Sequence, residues 1–273
     1  MNVISNFHTH TVYSDGKDTP EDIILEAIRL GCSEIGFSDH SYTDFDTSYC
    51  MSRENTAEYK REIKRLKEKY KGKIKIYLGI EQDYYSTEPT DGYDYIIGSV
   101  HYVKKDGVYI PVDESAKMQI DAVNTLYGGD FYAFVADYYK TVADVYEKTG
   151  CDIIGHFDLI TKFNEDGILF NTSDKRYTKA SSAALEKLLN TPALFEINTG
   201  AISRGYRKMP YPEEFILDRI AKSRKPFVLS SDSHKKENLL FGLDSESARL
   251  TAKNYPYVKS FSQIKQKLKP LSK

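Results

Sequence analysis

The chain predicts a single α/β barrel of parallel strands, and three observations carry that prediction. Short apolar runs alternate with amphipathic stretches from end to end. Alternating βα units imply parallel strands joined by right-handed crossovers. About seven such runs occur, enough to close or nearly close a barrel. All six histidines lie at or soon after these runs, where the C-terminal ends of barrel strands converge on one face.

The strand candidates are residues 3–7, 34–38, 74–80, 95–100, 152–155, 194–198 and 227–230. They are short, apolar and partly β-branched, as expected of strands covered on both faces. Thr19-Pro20-Glu21-Asp22 opens the first helix: Thr19 suits the N-cap, Pro20 the first helical position, and the acids the positive end of the dipole. Ile23, Ile24, Ala27, Ile28 and Leu30 then form its apolar stripe, and Gly31 ends it. A second helix is expected over 52–70. A third starts near Asp130 and buries Phe134, Val135, Tyr138, Val142 and Val145 before Gly150. Residues 178–189 and 212–223 read as two more, and 245–253 and 260–268 as a closing pair. Residues 101–130 read as an excursion, a hairpin and short helix that overhang the strand ends.

The bulk numbers bound the class. A length of 273 residues suits one barrel, and with no Gly/Ser-rich linker or repeat we expect a single domain over 1–273. Charged residues at 29% beside 40% hydrophobic residues mark a globular chain rather than a disordered one. A net charge of -2 offers no footprint for long nucleic acid or an anionic membrane. No run is long enough to span a bilayer. The N-terminal N-V-I-S-N-F lacks the pattern of a signal peptide. Cys32, Cys50 and Cys151 show no paired spacing, which points to a reduced, cytoplasmic protein.

The histidines sit in dense patches: F-H-T-H-T at 7–11, S-D-H-S at 38–41, G-S-V-H-Y at 98–102, G-H-F-D at 155–158 and S-S-D-S-H at 230–234. Any one of them alone at a strand end could be a cap or a satisfied polar group. Together with nearby carboxylates they point to a metal centre. Imidazole with carboxylate and no thiolate favours Zn, Fe or Mn over a structural cysteine site. Nine candidate ligands, His8, His10, Asp15, His40, Glu81, His101, His156, Asp232 and His234, exceed the needs of one ion. They divide over three divalent transition-metal ions, with Glu81 as the bridging carboxylate. About three protein ligands per ion leave open positions, the mark of a catalytic site. Three divalent ions against three carboxylates and one hydroxide leave a core of roughly +2, which suits a phosphomonoester dianion. Such ions lower the pKa of bound water toward neutrality, so no covalent nucleophile is needed.

These residues resemble the polymerase-and-histidinol-phosphatase (PHP) family of metal-dependent phosphoesterases. The matching pieces are H-T-H-T-V-Y-S-D-G at 8–16, S-D-H at 38–40, G-I-E at 79–81, G-S-V-H at 98–101, G-H-F-D at 155–158 and S-S-D-S-H at 230–234. The resemblance implies a distorted (βα)7 TIM-like barrel with a trinuclear site. It puts His8, His10, Glu81 and Asp232 on a first ion, Glu81, His101 and His156 on a second, and Asp15, His40 and His234 on a third. Within the family the chain is most similar to the monofunctional histidinol-phosphate phosphatases, through G-I-E-Q-D-Y at 79–84, G-H-F-D-L at 155–159 and E-I-N-T-G at 196–200, followed by Arg204-Gly205 and Pro210-Tyr211-Pro212. The implied activity is hydrolysis of L-histidinol phosphate to L-histidinol and phosphate, a step of histidine biosynthesis. One departure stands out: the resemblance leads to an arginine near Lys162, and lysine keeps the charge without the bidentate fork.

The remaining roles are expectations about single residues. Glu81 would hold the centre together, and Arg204 would clamp non-bridging phosphoryl oxygens. Lys162 would add a second contact to the phosphate, ahead of Arg176 and Arg207. Asp39 and Asp158, each beside a ligand histidine, would orient imidazoles, or Asp158 would protonate the leaving alkoxide. The acidic, aromatic T-D-F-D-T-S-Y after Tyr42 could meet a cationic substrate. The partner is thus a small phosphate ester. A nucleotide or oligonucleotide phosphodiester, a phosphotyrosine protein, and a metal-stabilised domain without turnover remain the competing readings.

Overall fold

The computed structural model describes residues 5–268, so Val3 and Ile4 of the first expected strand lie outside the described residues. In chain order the elements are β1 (Ser5–Asn6), α1 (Pro20–Arg29), β2 (Glu34–Phe37), α2 (Arg53–Lys69), β3 (Lys75–Asp83), β4 (Tyr95–Ser99), β5 (Tyr102–Lys105), β6 (Val108–Pro111) and α3 (Ala116–Leu126). There follow α4 (Phe131–Ala143), α5 (Val145–Thr149), β7 (Ile153–Ile154), α6 (Lys175–Leu189), β8 (Leu194–Asn198), α7 (Gly200–Ser203) and α8 (Glu214–Lys222). β9 (Phe227–Ser230), α9 (Leu243–Ala252), β10 (Tyr257–Val258) and α10 (Phe261–Leu268) complete the fold.

One all-parallel sheet runs in the order β1-β2-β3-β4-β7-β8-β9-β10, and β5 and β6 form a separate antiparallel hairpin. The sheet curls until its ends meet. Beyond β1 and β9 a parallel bridge pairs Thr9 with Ser233. His10 N donates to Ser233 O at 2.9 Å and Ser233 N to His8 O at 3.2 Å. The result is a distorted barrel closed at its C-terminal mouth. At the other end, β10 extends the sheet from β9, and Ser5 Oγ donates to Lys259 O at 3.2 Å.

Local chemistry explains the helices that lean on this sheet. Thr19 and Asp22 form a capping box on α1, which buries Ile23, Ile24 and Ala27. Ser52 caps α2, whose Tyr59, Ile63 and Leu66 face β2 and β3. Asp130 accepts from Tyr132 N and Ala133 N at the start of α4. The single helix expected there is two: Asp144 ends α4 and starts α5, which stops at Gly150 with φ 64°. The excursion at 101–130 is β5, β6 and α3, as its hairpin signal implied.

The barrel interior below the mouth is apolar. Phe7, Tyr95, Ile97, Ile153, Leu194, Val228, Val258 and Ile264 pack together there. Tyr95 crosses the barrel and donates to Phe7 O and Phe37 O at 2.5 and 3.1 Å. Its ring lies so close to the β3 backbone that a Cβ at Gly79 would stand 2.3 Å from it. Phe261 of α10 stacks on Tyr77 at 3.9 Å between ring centroids and closes the floor. A two-residue strand such as β10 has no periodicity to read, which is why the sequence pattern did not reveal it. No helix among the described residues is long and apolar enough to cross a membrane.

Gly79→Ala forces the Tyr95 ring out of the barrel, an overpacking cost of about 1–3 kcal/mol. Thermal denaturation should show a fall of several degrees in Tm, since 1 kcal/mol moves a domain of this size by roughly 2–4 °C. An unchanged Tm would show that Tyr95 does not fill the space as described.

Candidate metal centre

The bridge between Thr9 and Ser233 does more than close the sheet. It fixes the backbone around His8 and His10 against that around Asp232 and His234, so four candidate ligands converge from two strand ends. Asp15 comes from the turn after β1. That turn folds back so tightly that a Cβ on Gly16 would lie 2.5 Å from the His10 carbonyl, so only glycine fits. His40 follows β2 and pairs in a bridge with Glu81 of β3. Glu81 belongs to the strand itself rather than to the residue after it, because β3 continues to Asp83. His101 follows β4 and His156 follows β7.

Glu81 is the hub. Its Oε2 lies 2.8 Å from His40 Nδ1, 3.3 Å from His8 Nε2 and 3.5 Å from His10 Nε2. Its Oε1 lies 2.9 Å from His156 Nε2 and 3.4 Å from His101 Nε2, and accepts from Ser99 Oγ at 2.6 Å. Asp232 Oδ1 stands 3.2 Å from His10 Nε2 and 3.6 Å from both His8 Nε2 and His234 Nδ1. Asp15 reaches His234 Nε2 at 3.1 Å and His40 Nε2 at 3.6 Å. The nine residues singled out from the sequence therefore meet in one cluster.

The donor set fits divalent metal ions. Three groups have ligand atoms within 4.8 Å of one another: His10, Asp15, His40 and His234; His8, His10 and Asp232; and His40, Glu81 and His101. Buried polar atoms without hydrogen bonds gather at the same place, namely His8 Nε2, both ring nitrogens of His10, His40 Nδ1 and Glu81 Oε2. Each such atom costs about 1–3 kcal/mol if nothing meets it. Cations relieve all of them together.

Protonation follows the same geometry. Burial pushes the Glu81 carboxyl up, but His8, His40 and His101 overcome it and hold the group well below the usual range. Asp232 is held down against burial by Arg204 and His8, and Asp15 by His40 and His234. Burial opposes the charged form of His8 and His101, yet Glu196 and Glu81 beside the first and Glu81 and Asp83 beside the second raise both. His40 is raised despite burial by Glu81 and Asp15. His10, buried and flanked by His234 and His40, is lowered to about 3.

The outer supports differ from those expected. Glu196 of β8 is buried and lies 2.6 Å from His8 Nδ1. It also accepts from His156 N at 2.8 Å, Asn198 Nδ2 at 3.0 Å and Ser230 Oγ. Asp83 lies 3.0 Å from His101 Nδ1. These acids orient the imidazoles. Their signals were a glutamate inside the apolar run L-F-E-I-N and an aspartate two residues beyond Glu81 on the same strand face. Asp39 touches no ligand histidine; it accepts from Thr11 N at 2.8 Å and Ser14 Oγ at 2.6 Å and so shapes the turn to Asp15.

A cavity of about 400 Å³ opens over the cluster. Arg204 and Lys162 line it, as expected. Arg204 spends donors on Asp232, reaching Oδ2 at 3.0 Å and the carbonyl at 2.9 Å. Lys162 Nζ donates to Asp113 O at 2.6 Å. Asp46, Tyr49, Tyr102, Asp113 and Glu114 also line it, from the segment after His40 and from the overhanging excursion, with the Asp113 carboxylate 3.6 Å from Lys162 Nζ. Asp158 stands apart from this lining. It is fully buried, does not line the cavity, and its Oδ2 accepts from Glu213 N at 2.7 Å ahead of α8. Its Oδ2 is thus engaged at the start of α8, apart from the residues that line the cavity. Arg176 lies at the surface, paired with Asp130 at 2.6 Å.

Imidazoles and carboxylates at the mouth of a parallel barrel define a metal-binding α/β-barrel protein. The chain belongs to the PHP domain family, whose model matches residues 6–200. A Schizosaccharomyces pombe protein named "Probable histidinol-phosphatase" is 28% identical over 253 residues, covering 86% of this chain and 81% of that protein. A crystal structure from Listeria monocytogenes superimposes with a TM-score of 0.75 at 21% identity, covering 88% of this chain and 99% of that one. The histidinol phosphate phosphatase of Lactococcus lactis, solved with Zn, L-histidinol and phosphate, has a TM-score of 0.66 at 20% identity, covering 93% of this chain and 95% of that one.

Two outcomes follow. Glu196→Gln removes the charge behind His8 and should lower metal affinity roughly 10–100-fold, read by competition with a chelator; wild-type affinity would contradict the orienting role. Metal uptake should also depend on pH. His8, His40 and His101 hold protons above the ordinary imidazole range in the metal-free site, and each proton must leave before the nitrogen can bind. Affinity should therefore rise with pH through neutrality and fall on acidification, with proton release visible by calorimetry in buffers of different ionisation enthalpy. A pH-independent affinity would contradict this.

Proposed function

We propose that this chain is a metal-dependent phosphomonoesterase that hydrolyses L-histidinol phosphate to L-histidinol and phosphate. The observation that carries the reading is the mixture of cationic, acidic and aromatic groups in the cavity over the cluster. Its lining combines the candidate metal ligands, Arg204 and Lys162 with Asp46, Asp113, Glu114, Tyr49 and Tyr102. That arrangement complements a small molecule anionic at one end and cationic and aromatic at the other. Histidinol phosphate has this form. The S. pombe and L. lactis relatives carry the corresponding names, and the bound phosphate and L-histidinol of the latter are the products of such a reaction.

From the family resemblance we assign His8, His10, Glu81 and Asp232 to one ion, Glu81, His101 and His156 to a second, and Asp15, His40 and His234 to a third, though the ligand atoms also draw His10 toward the last group and His40 toward Glu81 and His101. The two oxygens of Glu81 face different histidines, which supports its bridging role. Bound Zn, Fe or Mn would polarise phosphoryl oxygens and make water a competent nucleophile near neutral pH. The chain supplies the rest. Arg204 keeps donors beyond those given to Asp232 and can turn them on a non-bridging oxygen. Lys162 adds positive charge at the rim, and its bond to Asp113 O steadies the overhanging excursion. Tyr49 packs edge-on to His40 at 5.0 Å and offers a face to an imidazole.

We read the whole chain as one catalytic domain, because Asp232 and His234 lie past the residues matched by the family model yet join the same cluster. The buried, unpaired Cys32, Cys50 and Cys151 support a cytoplasmic setting. The acidic part of the lining speaks against a long polyanion.

A panel of histidinol phosphate, p-nitrophenyl phosphate and a dinucleotide, run on enzyme of known metal content, tests the reading. Histidinol phosphate should exceed p-nitrophenyl phosphate, which lacks a cationic group, in kcat/KM by roughly 10–100-fold, with the diester slowest. Faster turnover of the dinucleotide would overturn it.

A further inference from the structure

Behind His156 lies a buried polar group that the proposed chemistry has not used. His156 turns Nε2 toward Glu81 Oε1 at 2.9 Å, which leaves Nδ1 for an outer partner. In His8 and His101 that outer nitrogen meets a carboxylate directly, at 2.6 and 3.0 Å. His156 Nδ1 is buried with no protein partner. The same holds for Asp158 Oδ1, Arg207 Nε and Tyr211 Oη. These groups are neighbours. The His156 and Tyr211 rings are 6.3 Å apart, and the Arg207 guanidinium lies 4.8 Å from the Tyr211 ring. Asp158 follows His156 within one turn, where Leu159 N donates to His156 O at 2.9 Å.

The surrounding backbone holds them in place. Tyr211 exchanges two hydrogen bonds of 2.9 Å with Asn198 at the end of β8. Arg207 is tied through Nη1 to Thr161 Oγ1, and Asp158 through Oδ2 to Glu213 N. Four unpaired polar atoms on these neighbouring side chains suit an internal water, which takes about two to four polar partners.

We propose that one buried water joins His156 Nδ1 to Asp158 Oδ1, with Arg207 Nε and Tyr211 Oη as its other partners. His156 Nδ1–H and Arg207 Nε–H donate to the water oxygen, and the water donates to Asp158 Oδ1 and to the Tyr211 oxygen. Asp158, Arg207 and Tyr211 are then positioning residues. They fix the tautomer that turns the Nε2 lone pair toward the metal cluster, as Glu196 and Asp83 do for their own histidines. This rests on the metal-centre reading above.

Tyr211→Phe removes one hydroxyl and keeps the ring. Asp158→Asn keeps the acceptor for Glu213 N. Zn affinity of the purified proteins, measured against chelators, should fall roughly tenfold for one ion in each variant, with a far-UV spectrum like that of the wild type. In steady state kcat should fall more than KM changes, and excess Zn should restore it. A crystal structure of the metal-loaded wild type should show the water between His156 and Asp158. Wild-type Zn affinity in Tyr211→Phe, beside an active wild type, would overturn the water link and leave the metal centre standing, and does so even if Asp158→Asn fails to fold. A wild type that takes up no Zn would overturn both.

Discussion

The structure depends on one constraint: imidazoles and carboxylates buried at the barrel mouth must find a counterpart. Glu81 has histidine nitrogens beside both oxygens, and several of those nitrogens have no hydrogen bond. In a low-dielectric interior such a group is costly unless paired or coordinated. Its persistence at the end of a well-packed barrel makes sense only if cations complete it. The fold below serves that end. Apolar side chains, the Tyr95 ring and the α10 plug give the mouth a packed base from which the segments leaving the strand ends carry the candidate ligands.

The supports around the ligands are of two kinds. Glu196 and Asp83 touch imidazoles from behind and set their orientation. Asp39, with Thr11 and Ser14, shapes the turn that carries Asp15. Arg204 holds Asp232, whose backbone sits at φ 48°, through both its carbonyl and its carboxylate. An arginine that lines the cavity therefore also holds Asp232 in place.

Much of this was legible in the residues. Strand ends could be read from short apolar runs, and histidines at those ends identified the face that carries the chemistry. The nine candidate ligands follow from that rule because a parallel barrel brings every strand end to the same mouth. What escaped the sequence depends on contacts between distant segments. β10 is two residues long. Asp158 looks like a site residue by its place beside His156, yet its Oδ2 accepts from Glu213 N. Glu196 looked like part of a family motif, and only its register beside β9 shows that it reaches His8 and Ser230. The acidic part of the lining joins residues near position 46 with others near 113, which no local pattern connects.

The central claim is that these nine side chains hold metal together. Anomalous diffraction from crystals of the metal-loaded protein addresses it most directly. The account predicts three peaks within the cluster, with Glu81 between two of them. Peaks elsewhere on the surface, or none after saturation with Zn or Mn, would contradict it.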